Sequence, residues 1–163
     1  MSEALAGLPM PVAVVAAASN GARSCSTGTL LYVSCTPALV ATPLARTSRT
    51  LALLRRRGAF SLSVLGDDQA ELAVRAARTS EGDKFAEQSI PVVDDDLAPG
   101  VAGAALVLWC SLDSTSETEG SVVCVGRVER FHRGERKPLL RFDRGYHALG
   151  TGIAVAEESR YPL

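Results

Sequence analysis

The dipeptide Asn20–Gly21 constrains this 163-residue chain more than any other short feature. It separates the valine- and alanine-rich run "PVAVVAAAS" (11–19) from "RSCSTGTLLYVSC" (23–35). Asn-Gly suits a two-residue turn with both centres at positive φ, and the twist of that turn matches paired antiparallel strands. The spacing predicts a hairpin, with 23–35 returning as its second strand. Further short strand-like runs follow at "PALVATPL" (37–44), "AFSLSVL" (59–65), "AALVLWCSLDST" (104–115), "SVVCVGRVERF" (121–131) and "KPLLRFDRGYHAL" (137–149). Only two stretches carry helical spacing, so strands and helices do not alternate as a parallel sheet requires. The pattern predicts a mainly β fold, an antiparallel barrel with a few short helices outside it.

The first helix is "TSRTLALLRRRG" (47–58). Leu51, Leu53 and Leu54 supply its apolar side. Arg55, Arg56 and Arg57 sit at the negative end of the helix dipole, and Gly58 fits the position just past the last turn. Ser48 or Thr50 can cap its start. The second helix is "DDQAELAVRAARTS" (67–80), with Asp68 and Glu71 at capping-box spacing. In 59–65, Phe60, Leu62 and Val64 alternate with Ala59, Ser61 and Ser63, which predicts a half-buried strand. The stretch "EGDKFAEQSIPVVDDDLAPG" (81–100) reads as irregular and turn-rich.

The length suits one domain over 1–163, with a core at about 11–149 and a tail at 150–163 that acts as a flexible or packing arm. A net charge of −1 leaves nucleic-acid or anionic-membrane binding without an electrostatic basis, so any anion site has to be local. No apolar run approaches the roughly 20 residues of a membrane span. The first residues lack a basic region and are broken by Pro9 and Pro11, which argues against a signal peptide. Cys25, Cys35, Cys110 and Cys124 form no CxxC pair and have no histidines at ligand spacing. They read as reduced, mostly buried thiols of a cytoplasmic protein. Nor is there a metal cluster, a Ser-His-Asp arrangement or a glycine-rich dinucleotide fingerprint. Asp94–Asp96 reads as a solvated turn, because the rest of a calcium loop is missing.

The entrance of the first helix carries Ser48, Arg49 and Thr50. A helix N-terminus presents unpaired N–H groups and a positive dipole end, which together make a ready anion site. The residues alone leave two readings: simple capping beside a solvated arginine, or a bound anion with hydroxyl donors.

Several segments, taken in order, resemble the flavin reductase-like, FMN-binding split-barrel family. "SCSTGTLLYVSCTPALV" is similar to its hydroxyl-rich flavin strand, and "TSRT" to its Ser-x-Thr phosphate site. "GAFSLSVL" and "PLLRFDRGYHAL" resemble later strands of the family, and "GDKFA" (82–86) and "VGRV" (125–128) are similar to two more of its segments. The resemblance runs from about Pro11 to Leu149. It implies an antiparallel split β-barrel that binds FMN or FAD and uses NAD(P)H as co-substrate. It also implies a homodimer that supplies reduced flavin to a monooxygenase partner, and it favours the anion reading of the helix entrance.

The resemblance assigns the flavin ring to Ser26, Thr27, Gly28 and Thr29, with Thr42 and Pro43 on the next strand. It assigns the phosphate to Ser48, Arg49 and Thr50. Lys84 and Phe85 are further cofactor candidates, set against a solvated loop lysine and a core phenylalanine. Ser121, Tyr146 and His147 are the nicotinamide-side candidates. Family members that reduce flavin commonly carry Gly-Asp-His before the "VGRV" strand, whereas this chain has Glu119, Gly120 and Ser121. Two alternatives follow. One is a flavoprotein of the same fold without NAD(P)H:flavin reductase activity. The other is a non-enzymatic barrel for another ligand.

Overall fold

The computed structural model describes residues 2–152. The expected tail at 150–163 lies mostly outside them. The chain runs α1 (Ser2–Ala6), β1 (Met10–Pro11), β2 (Ala13–Ser19), β3 (Ala22–Gly28), β4 (Leu31–Cys35), β5 (Ala38–Ala45), α2 (Arg49–Arg57) and β6 (Ala59–Val64). It continues through α3 (Ala70–Ala77), α4 (Lys84–Glu87), β7 (Val92–Val93), β8 (Gly100–Val101), β9 (Leu106–Glu117), β10 (Ser121–Arg133), β11 (Leu139–Phe142) and β12 (Gly145–Ala148).

Seven strands form one antiparallel sheet in the order β3-β2-β6-β9-β10-β5-β4. β3 and β4 lie at its opposite edges, yet only Thr29 and Leu30 separate them in sequence. Laid flat, seven strands at about 4.8 Å spacing would be roughly 29 Å wide. A two-residue link reaches only about 10 Å. The sheet therefore curls until its edges meet, and the Thr42 hydroxyl of β5 donates across the seam to the Thr29 carbonyl at 2.8 Å. The expected antiparallel barrel is present. The single strand expected at 23–35 is instead two strands, bent where the chain crosses that seam.

Asn20 and Gly21 take φ of 50° and 76° in the β2–β3 turn, as the dipeptide predicts. Both faces of β2 are covered. Val14 and Ala16 join a core with α3, α4 and Trp109, while Val15 and Ala17 join a core with α2, Phe60 and Leu108. Gly126 of the "VGRV" segment packs against the Phe60 ring, and a Cβ there would collide with it.

α2 forms as expected. Ser48 is the cap, accepting from Leu51 N at 3.4 Å, and Gly58 ends the helix at φ 71°. Other expectations need correction. Asp68 and Glu71 form no capping box: Gln69 precedes α3 without a side-chain cap, and Asp68 pairs with Arg136 at 2.9 Å. The 81–100 stretch is not wholly irregular, because Asp83 accepts from Phe85 N and starts α4. β6 is buried on both faces. Its serines are spent inside: Ser61 donates to Pro99 O at 2.6 Å, and Ser63 accepts from Val101 N at 2.9 Å. Cys25, Cys110 and Cys124 are buried, while Cys35 is exposed on the β4–β5 hairpin. The closing stretch is a hairpin, β11–β12, which joins β1 in a separate three-stranded sheet. No helix among the described residues is long and apolar enough to cross a membrane.

Candidate functional site

The period of two along β3 sorts its side chains. Ser24 and Ser26 face α2, while Cys25 and Thr27 face α3 and α4. Thr50, in the first turn of α2, is the hub of a hydroxyl cluster. Its Oγ1 lies 3.1 Å from Ser24 Oγ and 3.0 Å from Ser26 Oγ, and Ser26 Oγ is 3.4 Å from Ser48 Oγ. Thr50 and Ser24 are 1% and 4% exposed, so these polar groups sit at a desolvated helix entrance. Such an entrance favours an anion through N–H groups and hydroxyl donors.

Among the described residues, neither Arg49 nor Lys84 completes the cluster with a cationic head. The Arg49 guanidinium donates to the carbonyls of Glu81 and Gly82, the latter at 2.6 Å, and so ties the 81–82 loop to the helix entrance. Lys84 is buried and donates to Cys25 O at 2.8 Å, on the sheet's edge strand. Burial lowers the pKa of its ammonium. The Cys25 thiol is pushed up to about 11 by burial, opposed in part by the Lys84 charge. Phe85 lies in the core, with the Arg23 guanidinium 5.6 Å from its ring centre. Arg23 also binds Asp83 through Nε at 2.9 Å. Burial raises the Asp83 carboxyl, but the Arg23 hydrogen bond and charge outweigh it and hold the group below its ordinary range. Lys84 and Phe85 thus fasten α4 to β3. Thr27 is engaged elsewhere too, donating to Ala73 O at 2.6 Å.

Farther along β3 the barrel opens into an apolar cleft. A cavity of about 200 Å³ is bounded by Pro11, Gly28, Thr29, Pro43, Arg141 and Tyr146. A second, of about 380 Å³, shares Pro11, Thr29 and Pro43 with it and extends to Leu31 and Val123. Thr29 lies just past the end of β3, and at a rise of about 3.3 Å per residue it stands at most about 10 Å beyond Ser26. That is the reach of a ribityl arm between a phosphate and a flavin ring. Two details fit a flavin. The Thr29 hydroxyl oxygen is buried and has no hydrogen-bond partner among the described residues. A Cβ on Gly28 would meet Pro43 O and Val15 Cγ2 only at 3.9 Å, so packing does not demand glycine there and its missing side chain enlarges the cleft. Thr42 is buried and faces the Thr29 carbonyl.

The nicotinamide-side candidates separate. Tyr146 lines the cleft. His147 turns away, with Nε2 3.0 Å from Phe142 O and an exposed ring. Ser121 opens β10 opposite Ala45, in a turn where its amide donates to Thr118 Oγ1 at 3.1 Å. Arg46 holds that turn, donating to Thr118 O at 2.9 Å and to Glu117 at 2.7 Å, and Arg55 binds the other Glu117 oxygen at 2.7 Å. The Arg55 hydrogen bond, with the Arg46 charge, holds the Glu117 carboxyl below its usual range.

Sequence reasoning missed Ser24 and Arg141. Ser24 shares strand parity with Ser26, and that signal was available. Arg141 pairs directly with Tyr146 across the β11–β12 hairpin, a register that a two-residue turn at Asp143–Arg144 would have predicted.

A closed antiparallel barrel with a hydroxyl-lined helix entrance and an adjoining apolar cleft is the architecture of a split-barrel protein. The chain belongs to the flavin reductase family: the model described as "Flavin reductase like domain" matches residues 5–150. It is 31% identical over 152 residues to the "Actinorhodin polyketide dimerase" of Streptomyces coelicolor, covering 91% of this chain and 85% of that one. It is 33% identical over 150 residues to the reductase component of a 4-hydroxyphenylacetate 3-monooxygenase from Thermus thermophilus, covering 90% and 93%. Among solved structures, the fold is similar to the NADH:FAD oxidoreductase SgcE6 of Streptomyces globisporus, with a TM-score of 0.84 and 22% identity over 92% of each chain.

Proposed function

We propose that this chain uses NADH to reduce FMN and hands the reduced flavin to a monooxygenase. The observation that carries the proposal is the spacing along β3: an anion site at Ser24, Ser26, Ser48 and Thr50, then an apolar cleft about one ribityl arm away. The relatives support the chemistry. They include an NADH:riboflavin 5'-phosphate oxidoreductase of Streptomyces pristinaespiralis, and SgcE6 has also been solved in complex with NAD and FAD fragments.

Bound in this site, the flavin would supply the two-electron acceptor. The protein's own contribution is placement and exclusion of water. The hydroxyl cluster and first-turn N–H groups hold the phosphate end, and the Thr29 hydroxyl gains a partner at the ring. Thr42 fixes the strand crossing, and Tyr146 with Pro43 walls the cleft. Arg49, Lys84 and Phe85 act one step back, holding the 81–87 segment against the helix entrance and β3. The chain acts as a homodimer. Leu31, Tyr32 and Val33 are exposed on the edge strand β4, and Leu31 also lines the cleft, so a second copy would cover apolar surface beside the ligand.

Ser121 favours a second reading, a flavoprotein of this fold that does not draw on NADH, because serine lacks the imidazole common at this place in reducing relatives. Mixing the purified protein with NADH and FMN, FAD or riboflavin in turn separates the two. Flavin-dependent NADH consumption supports the first reading, and bound flavin without consumption supports the second.

A further inference from the structure

We propose that Arg141 is a specificity-determining contact for the dinucleotide co-substrate, donating to its phosphate backbone at the mouth of the cleft. The inference rests on the pyridine-dinucleotide reading given above and names the residue that enforces it. Among the described residues that line the two cavities, Arg141 is the one charged side chain. No carboxylate among the described residues pairs with it, so its charge is not already spent within the fold. Its guanidinium carbon stands 6.0 Å from the centre of the Tyr146 ring, which orients it across the cavity wall.

The hairpin that carries Arg141 is built at a cost. Asp143 and Arg144 hold φ of 47° and 63° without being glycine, a conformation that side chains disfavour. The turn is fastened from outside, since Asp143 N donates to Ala6 O at 2.8 Å and Arg141 pairs with Met10 of β1. Strained turns that the surroundings hold in place cluster at ligand sites.

The choice of ligand follows from counting anionic ends. A monophosphate flavin has one, and the hydroxyl cluster at α2 takes it. The Arg141 guanidinium, on the wall of the ring cleft, serves the other molecule that must enter, and a pyridine dinucleotide brings a diphosphate. Guanidinium is the side chain suited to forked recognition of phosphate oxygens.

The test compares wild type with Arg141→Gln and Arg141→Lys, using equilibrium binding of NAD+, nicotinamide riboside and FMN by calorimetry. NAD+ carries the diphosphate, and nicotinamide riboside lacks it. Arg141→Gln should raise the Kd for NAD+ about tenfold, leave nicotinamide riboside and FMN unchanged, and raise KM for NADH with kcat preserved. Arg141→Lys should fall between. An unchanged NAD+ Kd overturns the inference, as does an equal loss of FMN, which would place the guanidinium on the flavin. NADH consumption by the wild type is scored separately. If the wild type binds NAD+ but does not oxidise NADH, the reductase reading fails while the Arg141 contact is still decided by the NAD+ comparison. If the wild type binds no NAD+, the inference falls.

Discussion

Ser48→Gly isolates the phosphate contact from the fold. Ser48 caps α2 through a 3.4 Å contact to Leu51 N and stands 3.4 Å from Ser26 Oγ at the rim of the cluster. Glycine is itself tolerated at an N-cap and costs only a few tenths of a kcal/mol there. Alanine would cost about 1 kcal/mol of helix stability and blur the reading. Thr50 is a poorer target, because removing its hydroxyl leaves the buried Ser24 hydroxyl without its partner at 3.1 Å, a penalty of about 1–3 kcal/mol in the fold. A hydrogen bond to a charged phosphate is worth about 1.5–3 kcal/mol. Ser48→Gly should therefore raise the Kd for FMN by roughly 10- to 150-fold. Riboflavin has the same ring and no phosphate, so its Kd should stay within about twofold. Fluorescence titration of both ligands at one fixed salt concentration reads the ratio, and a melting curve confirms an intact fold. If both ligands weaken alike, the anion site is not at this helix entrance.

Arg144→Gly should stabilise the protein by about 1 kcal/mol, raising Tm by roughly 2–4 °C, because it relieves a left-handed arginine in the β11–β12 turn. An unchanged or lower Tm would show that the turn is unstrained. Lys84→Met should cost about 1–3 kcal/mol by stripping the donor from Cys25 O, yet leave FMN affinity within about twofold; a large loss of FMN binding would return Lys84 to the phosphate site. The pH dependence follows from the thiols. Burial holds Cys25 up to about 11 and Cys110 up to about 12, so above pH 9 the unfolded chain sheds thiol protons that the folded one keeps. Stability should fall as pH rises through that window, and Cys110→Ala should flatten the decline; an unaltered profile would count against the assignment. A thiol reagent at neutral pH should modify Cys35 quickly and the three buried thiols only on unfolding.

Much of this architecture was legible because it rests on local rules. The Asn20–Gly21 turn, the Gly58 helix stop and the presence of a strand at β6 each follow from a few neighbouring residues. The errors came where distant segments decide. Asp68 abandons its helix for Arg136, which lies 68 residues away, so a capping motif correct in spacing is overridden by a tertiary partner. Ser61 and Ser63 looked solvent-facing because nothing local announces that residues 99–101 cover them. The break at Thr29–Leu30 is a consequence of barrel closure, and no propensity records it. At the site, hydroxyl residues at 26–29 and 48–50 were readable as a group, but parity splits them: Ser26 joins the α2 cluster, while Thr27 is spent on α3. Lys84 looked available to a phosphate, since burial against β3 is invisible in a five-residue motif.

The most direct test of flavin reduction is anaerobic mixing of purified protein with NADH and FMN, followed by the absorbance of both. Flavin reduction by this chain predicts that each NADH consumed reduces one FMN, at a rate far above that of the two molecules without protein. Bound flavin that remains oxidised, with NADH untouched whether FMN, FAD or riboflavin is supplied, would contradict it.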